Sequence, residues 1–241
     1  FFKQKTAYEI VDCDWSSDVC SSDLRALWEP QLAGLSEIAD MTVGDLTQDD
    51  SMAGMARSVL ATAPPRFALA GLSMGGYASL EIMRQAPERV ERLALLDTSA
   101  RPDKREQTKD RLELIKQAEL GNFKGVTPRL LPRWVHPSRV NDPEIVKTVT
   151  DMTQRVGREA FVRQQTAILN RPDSRPGLSR IRCPTLVLCG HEDAATPVEL
   201  HREIAADIAD ARLVIVPECG HLSTIERPEA VNEALRRWLA G

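Results

Sequence analysis

The stretch whose reading decides the fold is Gly71-Leu72-Ser73-Met74-Gly75-Gly76-Tyr77. The apolar run Phe67-Ala68-Leu69-Ala70 leads into it, and helical spacing from Met74 to Gln85 follows, ended by Pro87. Gly71 to Gly75 fits a Gly-x-Ser-x-Gly pattern, in which a strand turns abruptly into a helix and lifts a serine above the sheet. That serine takes a strained backbone conformation, and small residues two before and two after it relieve the crowding. The hydroxyl then sits at the positive end of the following helix. A Gly/Ser turn without chemistry is the alternative reading, and the flanking strand and helix weigh against it.

Strands alternate with helices on either side of this elbow. Before it, Ala26 to Ile38 reads as a helix, Met41 to Leu46 as a short strand, and Ser51 as the cap of a helix through Leu60. After it, Val90 to Asp97 contains Leu93-Ala94-Leu95-Leu96, apolar enough for a strand buried on both faces. From Arg101 to about Arg175 only helical patterns occur: Asp103 to Leu120, a helix capped by Asp142 with Pro143 in its first turn, and Glu159 to Leu169. Strands resume at Thr185-Leu186-Val187-Leu188-Cys189-Gly190 and Leu213 to Val216, separated by a helix from Pro197 to Ile208, and Pro228 opens a last helix. The alternation predicts a mainly parallel sheet covered on both sides, with a helical insertion.

A serine nucleophile needs a base, and the base needs an acid to fix its tautomer. Of the four histidines, His221 follows the strand ending at Val216, which puts it at the carboxyl end of a strand, where sites of open sheets lie. His136 falls in the insertion, where it could line a pocket, His201 in a charged helix where it is expected to be solvated, and His191 too early in the chain. The acid comes from the loop after Gly190. Asp193 is preferred to Glu192, because Gly-x-x-Asp leaves room for a turn that points the side chain back.

The 241 residues allow one full domain, or a core with an inserted lid. A net charge of −4 with interspersed signs offers no basic patch for nucleic acid. No apolar run is long enough to span a bilayer, and Phe1 to Leu24 lacks the apolar core of a signal peptide. Five cysteines without framework spacing read as structural thiols of a reducing cytoplasm.

Gly71-Leu72-Ser73-Met74-Gly75-Gly76, Gly190-His191-Glu192-Asp193 and Gly220-His221, in that order, resemble the α/β-hydrolase superfamily over residues 25–241. The resemblance implies core segments at 25–100 and 176–241, and a helical lid at 101–175. It implies a catalytic Ser73, Asp193 and His221, with the backbone N–H of Met74 as one oxyanion donor and no metal or cofactor. The expected reaction is hydrolysis of a carboxylic ester or similar acyl bond of a small molecule. C–C bond hydrolysis, lactone hydrolysis, perhydrolase activity, or ligand capture without turnover by a signalling protein are the alternatives. Leu72, Leu131 and Trp134 are candidate pocket residues. The apolar cluster Leu130, Leu131, Trp134 and Val135 is read either as a roof over Ser73 or as ordinary packing between lid helices.

Residues 1–24 read unlike the rest. Lys3 to Ile10 and Asp14 to Leu24 resemble, in one frame and order, the conceptual translation of the two constant parts of a short-read sequencing adapter. Family sequence is therefore read as starting at Arg25, with the native N-terminus lost. By resemblance, that loss removes a central strand, leaving a vacant slot unless Ala7 to Val11 fills it. It also removes the second oxyanion donor, in whose place stand Cys20-Ser21-Ser22-Asp23-Leu24. The chain as written is then expected to be poorly stable and nearly inactive, while its undamaged parent is expected to be a working hydrolase and is the form in which activity is to be tested.

Overall fold

The computed structural model describes residues 5–9, 24–123 and 130–241. Six strands form one sheet: β1 (Lys5–Glu9), β2 (Ala39–Val43), β3 (Phe67–Leu72), β4 (Val90–Leu96), β5 (Thr185–Gly190) and β6 (Ala211–Val216), in the order β2-β1-β3-β4-β5-β6. Every pairing among them is parallel. All residues of β3 and β5 are buried, as expected of central strands with both faces covered.

The helices are α1 (Leu24–Leu35), α2 (Met52–Thr62), α3 (Met74–Gln85), α4 (Arg105–Glu119), α5 (Pro143–Leu169), α6 (Arg175–Leu178), α7 (Val198–Asp207), α8 (Ser223–Glu226) and α9 (Pro228–Ala240). α1 lies against α8 and α9, α2 against α3, and α7 against β5 and β6. Sequence signals set the ends. Ser51 caps α2 by accepting from Gly54 N at 3.2 Å, and Asp142 caps α5 by accepting from the N–H groups of Glu144 and Ile145.

Residues 101–175 contribute no strand among those described. The two helices expected there run into one another as α5, with a break at Gly157, whose φ of 73° and ψ of 161° lie outside the helical region. Arg111 and Arg171 both reach the Asp103 carboxylate, which is buried although its backbone is not, at 2.8 and 2.7 Å. The Arg171 guanidinium also lies 4.2 Å from the centre of the Tyr77 ring, which ties this segment to α3.

The slot between β2 and β3 is occupied, the second of the two outcomes expected for it. Lys5–Glu9 fills it, pairing Lys5 with Ala39 on one side and Ala7 with Ala68 on the other. The reason is backbone satisfaction: two neighbouring strands each present a row of N–H and C=O groups, and an extended segment pairs both rows. The strand starts two residues before Ala7–Val11, and Ile10 and Val11 lie outside the described residues. No helix among the described residues is long and apolar enough to cross a membrane.

Candidate active site

Ser73 stands between β3 and α3 with φ 53° and ψ −113°, a conformation that only a tightly held residue keeps. Three contacts hold it. Its N–H donates to Leu96 O at 2.9 Å, its carbonyl accepts from Gly76 N at 2.9 Å, and the Thr98 hydroxyl donates to the same carbonyl at 2.7 Å. The glycines are required by close approach. A Cβ at Gly71 would lie 2.3 Å from Gly75 O, and one at Gly76 would lie 2.3 Å from Thr98 Oγ1.

The structure brings Ser73, His221 and Asp193 into one line. His221 Nε2 lies 2.9 Å from Ser73 Oγ, and His221 Nδ1 lies 2.8 Å from Asp193 Oδ2. A carboxylate only accepts, so a neutral His221 carries its proton on Nδ1 and offers the Nε2 lone pair to the serine hydroxyl. Asp193 is fixed in turn: its Oδ1 accepts from the N–H groups of Ala195 and Thr196, both at 2.8 Å, and its Oδ2 accepts from Thr196 Oγ1 at 2.7 Å. Burial pushes the Asp193 carboxyl up, but the charge and hydrogen bond of His221 outweigh it and hold the group below its ordinary range. Ser73 and His221 are fully buried, and Asp193 nearly so.

The remaining candidates fall into place around this line. Glu192 points away from His221 toward His191 Nδ1 (2.8 Å) and the N–H of Cys219 (3.1 Å). His136 bonds Ser138 through its side chain. Leu72 and Leu131 are fully buried, and the Trp134 ring lies 5.4 Å from the His221 ring, with Trp134 O accepting from His221 N at 2.8 Å. Met74 opens α3, and the first N–H groups of a helix have no carbonyl a turn earlier to bond. Cys20 to Asp23, which stand where a second oxyanion donor is expected, lie outside the described residues.

His201 is corrected. It is fully buried rather than solvated, its Nε2 accepting from Thr98 N at 2.8 Å. Burial lowers it to about 4, so it stays neutral and can accept. The signal was present: Val198, His201 and Ile204 recur at i, i+3 and i+6 on the buried face of α7.

Asp97 was also missed. It is fully buried with φ 44°, and its carboxylate accepts from Gly190 N at 2.9 Å and from Ser223 Oγ at 2.5 Å. Burial and then the charge of Asp193 raise it well above the ordinary range. Among the described residues no group of three His, Cys, Asp or Glu side chains is placed to hold a metal ion. Cys183, Cys189 and Cys219 are free, and burial pushes each thiol up.

A family model described as "Alpha/beta hydrolase family" matches residues 16–234. The 3-oxoadipate enol-lactonase 2 of Acinetobacter baylyi is 29% identical over 175 residues, which are 71% of this chain and 62% of that protein. A hydrolase of Escherichia coli named for 2-hydroxy-6-oxononadienedioate and 2-hydroxy-6-oxononatrienedioate is 28% identical over 180 residues, 71% of this chain and 62% of that one. The chain thus spans about three fifths of these two curated relatives. The structure of a thermophilic esterase from Thermogutta terrifontis superposes with a TM-score of 0.87 at 28% identity, covering 98% of this chain and 89% of that one. Since the family match covers most of its length, the chain belongs to the alpha/beta hydrolase family.

Proposed function

We propose that this hydrolase cleaves a carboxylic ester, or a related acyl bond, of a small molecule through an acyl-serine intermediate. The observation that carries the reading is the unbroken line from Ser73 Oγ through His221 to Asp193, at 2.9 and 2.8 Å. His221 takes the Ser73 proton as the oxygen attacks the carbonyl carbon, and Asp193 stabilises the imidazolium that forms. The N–H of Met74 faces the developing oxyanion. Collapse breaks the acyl bond, and the leaving alcohol departs with the proton from His221. Water then attacks the acyl-serine, with His221 again as base, and the acid and free Ser73 are released.

Residues 25–100 and 176–241 serve as the core and 101–175 as the lid, with Leu72, Leu131 and Trp134 closing over the acyl group. The burial of Ser73 and the Trp134 ring beside His221 support this assignment. A reducing, cytoplasmic location is supported by the free thiols of Cys183, Cys189 and Cys219 among the described residues. Lactones form the second reading, favoured by the enol-lactonase among the relatives. A lactone is a cyclic ester, so the same steps open the ring. Initial rates on a panel of p-nitrophenyl esters and five- and six-membered lactones decide between the two. No turnover of either class would sink both.

A further inference from the structure

Glu226, the last residue of α8, is fully buried. Its Oε2 accepts from His136 N at 2.7 Å and Gly220 N at 3.1 Å, and its Oε1 accepts from Leu222 N at 3.0 Å. Two of these donors flank His221 in sequence. The third belongs to the 101–175 insertion. The same two stretches meet again where His221 N donates to Trp134 O at 2.8 Å. At Gly220 they touch backbone to backbone, since a Cβ there would lie 2.7 Å from His136 N and from Val135 C. A carboxylate gathering three N–H groups makes stronger bonds than a neutral acceptor would, so this junction is held firmly.

The junction also bears on access. Ser73 is fully buried and the Trp134 ring stands beside His221, so the Trp134–His136 segment is one of the elements whose movement would admit a substrate. That movement withdraws Trp134 O from His221 N and His136 N–H from Glu226. Resting on the hydrolase reading above, we infer that Glu226 is a positioning residue that couples docking of Trp134–His136 to the placement of His221. The imidazole is in line with Ser73 while the segment is docked and loses a backbone anchor when it lifts. Glu226 acts through the loop and touches neither substrate nor reacting atoms.

The test uses the full chain and three variants. Glu226→Gln replaces one acceptor oxygen with a donor that faces backbone N–H groups. His136→Pro suits φ −55° and ψ 142° at residue 136, and it replaces the N–H that Glu226 accepts with a ring carbon, which breaks the contact and displaces the carboxylate. His136→Ala is the reference that keeps the N–H. Two readouts are taken: the downfield proton resonance of His221 Nδ1–H, and kcat and KM on a p-nitrophenyl ester.

Glu226→Gln and His136→Pro should each lower kcat about tenfold or more relative to wild type and His136→Ala, as losing a charge-assisted hydrogen bond implies, with KM changed less than about twofold. The resonance should shift or broaden in both. Combined, the two changes should cost less than the product of their separate effects, since they break one contact. An unmoved resonance and unchanged kcat, with only a lower melting temperature, would overturn the inference. Should Glu226→Gln not fold, His136→Pro decides alone. A wild type that turns over neither esters nor lactones would defeat the reading it rests on, and the resonance would still decide the role of Glu226.

Discussion

The Thr98 side chain holds the backbone of Ser73: its hydroxyl donates at 2.7 Å to the Ser73 carbonyl, from a residue just beyond β4. Thr98 is itself anchored, its N–H donating at 2.8 Å to the neutral His201. The strained turn at Ser73 is therefore fixed from the neighbouring strand's end as well as by its own helix. Strain at a site persists only where the surroundings over-determine it, and this contact is one of the means.

Thr98→Val keeps the shape and removes the donor. We expect it to lower stability by about 1 kcal/mol, the net worth of one hydrogen bond, and to lower kcat more than it raises KM. Thr98→Ser should behave nearly as wild type. Melting curves and ester kinetics on the two variants check this, and equal kcat in Thr98→Val would remove the contact from the account of the elbow.

Glycine at position 71 is set by the approach of Gly75 O and Ser79 Oγ to where a Cβ would stand, at 2.3 and 2.5 Å. Gly71→Ala must push backbone aside and should cost on the order of 1 to 3 kcal/mol, as overpacking does. Denaturant melts measure it. Wild-type stability and activity would mean that the β3–α3 turn relaxes freely.

The burial of His201 predicts a pH dependence of stability. Its folded value of about 4 lies below the ordinary 6.5, so below pH 6.5 the unfolded chain binds a proton that the folded chain refuses. The contribution is present above pH 6.5 and is lost as pH falls toward 4, by about 3 kcal/mol at most. Asp97 and Glu226, raised chiefly by burial, act in the opposite sense as pH falls, so the difference between chains is the measurement. His201→Gln, which still offers Thr98 an acceptor, should lose less stability than wild type between pH 6.5 and 4. Parallel curves would contradict the assignment.

Trp134 separates a roof from mere packing. Trp134→Ala removes a buried ring beside His221 and should cost about 3 to 5 kcal/mol. As a roof, it should also shift preference toward bulkier acyl groups, read as kcat/KM across a p-nitrophenyl ester series. A uniform loss of stability with unchanged ranking would leave only packing.

Much of this arrangement could be read from local sequence, where physics is local. β3 and β5 are apolar runs bounded by turn formers, and their ends coincide with the expected ones. Ser73, Asp193 and His221 each follow a strand, so strand order alone brings them to one edge. Other features depend on partners far away in sequence. Glu226 and Asp97 look like surface carboxylates until distant N–H groups converge on them. His201 was hidden by its charged neighbours on α7, although its spacing from Val198 and Ile204 marks a buried face. β2 was expected at Met41 to Leu46 and lies at Ala39–Val43, because pairing with β1 rather than apolarity sets its ends.

The central claim is that Ser73 is the nucleophile, and its most direct test is the mass of the protein after reaction with a fluorophosphonate. Wild type should gain one phosphonyl group, mapped by peptide fragmentation to the Gly71–Gly75 stretch, and lose its esterase activity in proportion. Ser73→Ala should gain none and turn over no ester, while keeping the melting temperature of a folded chain. Equal labelling of Ser73→Ala, or a label on another residue, would contradict the account.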